Sequence, residues 1–343
     1  MLRPVFVQAI RTPVMFKQMG GRPFCFWVVA VMATLMLAPP PVFAGSAEDE
    51  ALIMGARAGR ADIVTEALSR GADVNAADET RFTALMAAAL GDNLAILNRL
   101  LAEGALTEPR EARYGNTALA IAARHGNIDS LSALLNAGAD ANAAATRDGL
   151  TPLMQASASL DDRAPEVIAE LLAAGAKINV ADKEGWTAMH HAAARSTPSA
   201  VALLVDAGMD VNDPKTAKGV PALELAVIGG RTETVAALIS FGADVNRPGT
   251  QTHTPLMRAA RKGREEMVTL LAGVGAEVNL TASSDGTTAL MWAANSGFLG
   301  IVRTLLAAGA DPKIVAKDGW TALQAAEMMG DEGMIAAIVA AGG

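Results

Sequence analysis

Residues 305–323 read LLAAGADPKIVAKDGWTAL. A leucine pair leads to Gly309, a polar run turns at Asp318–Gly319, and Thr321 opens a new apolar stretch. That order recurs along the chain. WTAMHHAAARST starts at Trp186, HTPLMRAARKGRE at His253, TTALMWAANSGFLG at Thr287 and WTALQAAEMMGDEG at Trp320. Thr83, Thr117, Thr151, Thr187, Pro221, Thr254, Thr288 and Thr321 are equivalent, at spacings of 34, 34, 36, 34, 33, 34 and 33 residues. A glycine follows each second apolar segment, from Gly71 through Gly138 and Gly208 to Gly309. Self-similarity at this period marks a solenoid of stacked units.

Each unit has a physical reading. The threonine is a helix N-cap, its hydroxyl positioned to accept a bond from a free backbone N–H of the first turn. Pro152 and Pro255 follow it at the first helical position, where a missing N–H is harmless. Then come a large apolar residue and small alanines, which let neighbouring units approach closely. Gly126, Gly263, Gly297 and Gly330 stand where a left-handed residue ends the first helix. The second helix carries the leucine pairs Leu134–Leu135, Leu171–Leu172, Leu203–Leu204 and Leu305–Leu306. Asp148–Gly149, Glu184–Gly185, Asp285–Gly286 and Asp318–Gly319 predict tight turns or hairpins at the tips.

This pattern closely resembles the ankyrin repeat, in which a T-P-L-H box, an alanine-rich turn and a G-A-D-x-N segment recur. The resemblance runs from about Ser46 to Gly343. It implies an all-α ankyrin-repeat solenoid of helix-turn-helix units with β-hairpin or loop tips. The nine expected units cover residues 48–78, 79–112, 113–146, 147–182, 183–216, 217–249, 250–283, 284–316 and 317–343. The first begins with acids and lacks the threonine, as suits a polar cap. The family histidine survives only as His190. Met86, Met154, Met257, Met291, Ala120, Glu224 and Gln324 replace it, so adaptable packing is expected to stand in for its hydrogen bonds. Repeat four lacks the central glycine and predicts a bulge between its helices, with Pro165 in the first turn of the second.

The N-terminus reads differently. Residues 1–23 are basic, and 24–38 are uncharged and apolar, FCFWVVAVMATLMLA. Small residues at Val42 and Ala44 precede Gly45. This order describes a secretory signal over residues 1–44. The apolar run is short for a membrane span, which takes about 20 residues. An uncleaved anchor is the alternative. Both send residues 45–343 across the membrane. A periplasmic location is expected, with secreted or membrane-anchored forms as alternatives. Cys25 is the single cysteine and lies inside this segment, so no disulfide framework or thiolate metal cluster is expected beyond it.

Charge and motifs narrow the function. The chain carries −8; without the basic residues Arg3, Arg11, Lys17 and Arg22 of the leader, 24 bases face 36 acids, a net −12. Such a balance argues against nucleic-acid binding. The common hydrolase, zinc-protease and phosphate-loop motifs are missing. His190 and His191 point about 100° apart on a helix, so they do not form a metal pair. No catalytic residue, cofactor or metal is expected, and the protein reads as non-enzymatic.

The resemblance implies a protein-binding function through a concave face of tips and first helices, where the family varies its residues. Those positions hold Phe82, Trp186, His253 and Trp320 before the threonine, and Ile121, His191, Arg258 and Trp292 within the first helix. After the alanines stand Arg57, Arg124, His125, Arg195, Arg261 and Lys262. No acid occurs in the two helical sets, although the chain is acidic. The candidate binding set is Arg124, His125, Trp186, His191, Arg195, His253, Arg258, Arg261, Lys262 and Trp292, facing a protein partner with an acidic surface. Accessory support of an envelope enzyme, for example in oxidative-stress defence, and a secreted effector role are alternatives; an enzyme with an active site on the variable positions is the alternative of a different class. The apolar C-terminal GMIAAIVAAGG is a candidate self-association surface. N-terminal sequencing of the protein recovered from a cell envelope should begin at Gly45; a chain that keeps residues 24–38 would be an anchor instead.

Overall fold

The computed structural model describes residues 45–195, 197–213 and 219–343. The expected leader over residues 1–44 lies outside the described residues. From Ala47 to Ala340 the chain forms nine helix pairs joined by extended tips. The pairs run from Ala47–Arg57 with Ala61–Ser69, through Pro152–Ser157 with Ala164–Ala173, to Ala322–Met329 with Glu332–Ala340. Among the described residues none of these helices is long and apolar enough to cross a membrane.

Six of the expected threonines cap, while the Thr187 hydroxyl meets the His190 ring instead. The hydroxyls of Thr83, Thr117, Thr151, Thr254, Thr288 and Thr321 each accept the backbone N–H three residues on, at 3.2–3.3 Å. Ser46 does the same for the first helix in a reciprocal capping box with Asp49, whose carboxylate accepts the Ser46 N–H. Removing such a cap costs about 1 kcal/mol. Pro152 and Pro255 occupy the first turn, and Gly126, Gly230 and Gly330 close their helices in the left-handed conformation.

First helices stack against first helices and second helices against second helices. The alanines set the first-helix spacing. Ala88, Ala122, Ala156, Ala192, Ala226, Ala259, Ala293 and Ala326 have no exposed surface. A methyl group is the largest side chain that this contact admits. Neighbouring first helices touch more extensively than neighbouring second helices do, so the tip side of the stack is concave. The leucines at the second helices complete the core, with Leu100, Leu134, Leu171, Leu204, Leu238, Leu271 and Leu305 all inaccessible. The core is continuous from Leu52 to Ile338.

An asparagine ladder ties the repeats along their other flank. The Asn75, Asn142, Asn212, Asn246 and Asn279 side-chain oxygens accept the N–H of Leu106, Lys177, Asp244, Glu277 and Asp311, each in the next repeat, at 2.7–2.9 Å. The Asn142, Asn212 and Asn279 amides donate onward to the Gly175, Gly242 and Gly309 carbonyls. In repeat two, Glu108 takes the asparagine's role and accepts the Asp140 N–H.

The tips turn without building a sheet. Among the described residues there is one isolated antiparallel bridge, Ala77 to Thr83. Single bonds close the other tips, as from Asp182 N–H to Trp186 C=O and from Ala316 N–H to Trp320 C=O. Each tip also reaches its neighbour: Arg147 N–H bonds Tyr114 C=O, Lys183 bonds Asp148 and Lys317 bonds Asp285. Gly286 has φ +77°, and a Cβ there would lie 3.0 Å from the Lys317 nitrogen, so the close approach needs glycine.

Repeat four bulges between its helices, where expected. Ser159 bonds Asp161, which lies against Gly126, and Arg163 reaches back to Asp92 at 3.4 Å. The last helix buries Met334 and Ile338 completely while Val339 stays half exposed. Its apolar character is thus partly consumed by packing on the preceding pair.

Asn279→Ala deletes two inter-repeat bonds. It should cost about 1–2 kcal/mol and lower the melting temperature by roughly 2–4 °C. An unchanged thermal melt would show that the ladder is incidental.

Candidate functional site

The candidate residues separate into those that hold the stack and those that face outward from it. Arg258 belongs to the first group. It is 9% exposed, and its Nε lies 3.1 Å from Oε1 of the fully buried Glu224. Its Nη2 also donates to the Thr250 carbonyl and hydroxyl. Glu224 accepts the Thr250 N–H and hydroxyl as well. The expectation that Arg258 presents its charge to a partner is therefore corrected: the guanidinium neutralises a buried carboxylate between repeats six and seven. An unpaired buried charge is costly, which is why this arginine turns inward.

Glu224 also explains how the loop tie survives the loss of the family histidine. In repeat five, His190 is buried; its Nδ1 lies 2.8 Å from the Thr187 hydroxyl and its Nε2 3.1 Å from the Val220 carbonyl of the next repeat. A ring N–H at Nε2 suits that carbonyl. In repeat six the polarity is reversed, with the glutamate accepting a backbone N–H of the next tip. At the methionine positions Met86, Met154, Met257 and Met291 are buried, so packing replaces the histidine's bonds at most of them, while the Met257 sulfur still accepts the Thr254 N–H at 3.4 Å.

His253 is 3% exposed and also turns inward, against its expected place at the groove. Its ring meets Trp292 edge-on with centroids 5.3 Å apart. Arg261 lies over the same tryptophan, its guanidinium carbon 4.5 Å from the ring centroid. Such a stack is worth about 0.5–1 kcal/mol at an exposed site. His253 Nε2 and Trp292 Nε1 are buried and have no hydrogen-bond partner among the described residues. Arg261 and Lys262 are exposed.

His191 is mostly buried and bonds Oδ2 of Asp182 at 2.8 Å, while Trp186 tilts against it at 5.5 Å. Asp182 accepts the N–H groups of Glu184 and Trp186 as well, so this trio fixes the repeat-five tip. Arg195, Arg124 and His125 are exposed. Arg57 is held by Asp78 at 3.1 Å and lies over Phe82 at 5.5 Å.

Two clefts open on the tip and first-helix side. One, of about 220 Å³, lies between repeats eight and nine and is walled by Met291, Trp292, Trp320, Ala325 and Met328, with Asp318 at its side. The other, of about 490 Å³, lies between repeats two and three. It combines Phe82, Leu90 and Ile121 with Arg113, Arg124 and His125. Tyr114 stands beside it between the guanidinium groups of Arg113 and Arg147, at 5.0 and 5.4 Å. Sequence reasoning missed Arg113, Tyr114 and Arg147. They sit at the tips of repeats three and four, and the tyrosine, the only one in the chain, was the available signal. Among the described residues no group of three or more His, Cys, Asp or Glu side chains is placed to hold a metal ion.

Alanine-spaced first helices, an inter-repeat asparagine ladder and a concave row of tips define a helical-repeat binding scaffold. The family model described as "Ankyrin repeats (3 copies)" matches residues 52–145, 106–182, 153–249, 207–282 and 256–342. The chain belongs to the ankyrin-repeat family. It is 32% identical over 151 residues to the mouse B-cell lymphoma 3 protein homolog, covering 43% of this chain and 34% of that protein. It is 32% identical over 181 residues to the chicken nuclear factor NF-kappa-B p105 subunit, covering 53% of this chain and 15% of that one. The chain thus spans about a third or less of these relatives' own length. Among solved structures, it is similar to a chain from the complex of the Bd0816 predatory endopeptidase from Bdellovibrio bacteriovorus with immunity protein Bd3460. That match has TM-score 0.50 and 32% identity, and covers 55% of this chain and 97% of that one. Ankyrin repeats are protein-interaction modules, and this chain carries such a module.

Arg258→Ala should destabilise the fold by about 3–5 kcal/mol, because Glu224 is left buried and unpaired. Glu224→Gln combined with Arg258→Ala should recover part of the loss; equal instability of both variants would refute the pair. Burial lowers the pKa of His190, His191 and His253, and at the more open His125 partial desolvation and the neighbouring Arg124 charge act in the same direction. The folded state therefore binds fewer protons than the unfolded one as acid is added. Their stabilising share is intact above the unfolded value of about 6.5 and declines as pH falls through it. Thermal melts between pH 7.5 and 5.5 should fall with pH, and less steeply for His191→Asn with His253→Asn. A flat profile would show that these rings accept protons freely in the fold.

Proposed function

We propose that this protein is an exported, non-catalytic binding module that works in the periplasm and holds a protein partner against its tips and first helices. The observation that carries the reading is a distribution of charge. Arg113, Arg124, Arg195, Arg261 and Lys262 are exposed on this side and make no ion pair among the described residues, in a chain of net charge −8; exposed acids of the same side include Glu79, Asp318 and Glu327. An acidic protein displays bases along one face only at a cost in solvation and mutual repulsion, which an acidic partner surface would relieve. Trp292 and Trp320 add aromatic surface of the kind that dominates interface energies. The leader-like order of residues 1–44 supports export.

A second reading has a specific observation behind it. The similar chain comes from a complex that contains an endopeptidase and an immunity protein. That favours an enzyme as the partner, with this protein in an accessory role.

In-cell cross-linking followed by mass spectrometry should identify one dominant envelope protein. Arg261→Glu with Lys262→Glu should reduce its capture about tenfold or more without changing the thermal melt. Arg303→Glu, on the exposed side of the second helix Leu299–Ala307, should leave capture intact. Equal capture by all three proteins would overturn the assignment of this face.

A further inference from the structure

The cleft between repeats two and three differs chemically from the rest of the concave side. Its floor is apolar: Ile121 is nearly inaccessible, Phe82 is half buried and Leu90 is 41% exposed. An exposed leucine at the C-terminus of a first helix has no stacking role, because Ala87, Ala88 and Ala89 already make that contact. Around this floor stand Arg113 and Arg124, with His125 at one end. Arg147 adds a third base nearby, its guanidinium carbon 5.4 Å from the ring centroid of Tyr114, which also lines the cleft. None of the three arginines makes an ion pair among the described residues.

Most of the nearby acids are engaged by other groups, and one of them, Glu111, lines the cleft itself. Glu111 is buried, and its carboxylate accepts the backbone N–H groups of Arg113, Tyr114 and Asn116. Asp78 is committed to Arg57, Thr80 and Phe82. Asp161 approaches His125 from repeat four and also accepts the Arg163 N–H. Glu79 is exposed at the repeat-two tip, and Asp148, next to Arg147, accepts the Leu150 N–H. The guanidinium groups are oriented as well as free of ion pairs among the described residues, and Arg147 Nη1 donates to the Arg113 carbonyl at 3.4 Å. Tyr114 holds Arg113 and Arg147 on its ring, which reduces the rotamer entropy that binding would otherwise cost.

We infer that this cleft takes an extended acidic segment of the partner protein, one that inserts a single apolar side chain between Phe82, Leu90 and Ile121 and sets carboxylates against Arg113, Arg124 and Arg147. The volume of about 490 Å³ exceeds that of one large side chain, and leaves room for the backbone on either side. Flat or concave guanidinium–carboxylate contacts are bidentate and directional, so the arginines fix the register while the apolar insertion supplies the anchor. This inference rests on the concave side being a protein-binding face, and it names the chemistry that one part of that face selects.

The test uses the purified protein and fluorescein-labelled short peptides of glutamate and serine with one central phenylalanine. Anisotropy should report saturable binding that weakens with added salt. Replacing the phenylalanine by glycine, or the glutamates by lysine, should weaken binding about tenfold or more. Arg113→Glu with Arg124→Glu should do the same, while Arg261→Glu, four repeats beyond repeat three, should not. Both arginines are exposed, and an unchanged thermal melt would confirm that the variant folds. Binding indifferent to the phenylalanine, or to the Arg113 and Arg124 reversal, would overturn the inference. So would equal affinity for a single-stranded oligonucleotide, which would make the cleft a general anion site. Loss of peptide binding with in-cell capture intact would sink this inference alone; loss of in-cell specificity for the whole face would sink the broader reading.

Discussion

The contact on which the rest depends is the one between neighbouring first helices. Residues such as Ala122, Ala156 and Ala259 are wholly enclosed there, and a larger side chain would force the helices apart. A single helix pair cannot bury its own apolar flanks; it gains a core only when the next pair stacks on it. Close spacing on that side also brings the tips within backbone hydrogen-bonding distance, as Arg147 with Tyr114 and Lys317 with Asp285 demonstrate. The asparagine ladder then repeats the same solution along the flank, satisfying backbone N–H groups that the absence of a sheet leaves unpaired.

The same constraint divides the polar residues into two populations. Where a side chain points into the inter-repeat seam, it must be paired or neutral. His190 meets a carbonyl, Gln155 donates to Asn116 at 2.6 Å, and Glu224 is matched by Arg258 and Thr250. These three sites keep one loop tied to the next by different chemistry, which shows that the fold requires satisfaction of the seam and not a particular residue. Where a side chain leaves the seam, the fold requires little of it. Arg113, Arg124, Arg195, Arg261 and Lys262 belong to this second population, and their common sign is the feature that packing does not explain.

Position in the repeat therefore predicts a residue's neighbourhood better than its role. Arg258 and Trp292 occupy equivalent places in successive repeats, yet one is locked on a buried carboxylate and the other lines a cleft. Arg261 and Lys262 follow in the next turn and remain free of ion pairs. Mutational dissection of the concave side must separate these cases, because loss of Arg258 disturbs the stack before it disturbs any surface.

The sequence by itself determined the stack. A period near 34 residues, threonine caps, enclosed alanines, leucine pairs and turn glycines each impose a local geometry, and all agree on one architecture. It also located the bulge of repeat four and placed the basic residues on the tip and first-helix side. Tertiary structure decided which of them are available. Glu224 and Arg258 lie 34 residues apart, and their pairing exists only because one repeat period separates residues that touch. His253 turned inward for a similar reason, toward a tryptophan 39 residues on. The cleft of repeats two and three was legible only in part: Phe82, Ile121, Arg124 and His125 stand at positions the repeat leaves variable, and Leu90 lies one period of 34 residues before Arg124, but Arg113 and Tyr114 join them only in the stacked structure. A periodic sequence encodes the contacts that repeat; the contacts that make one repeat unlike another form only when the helices are stacked.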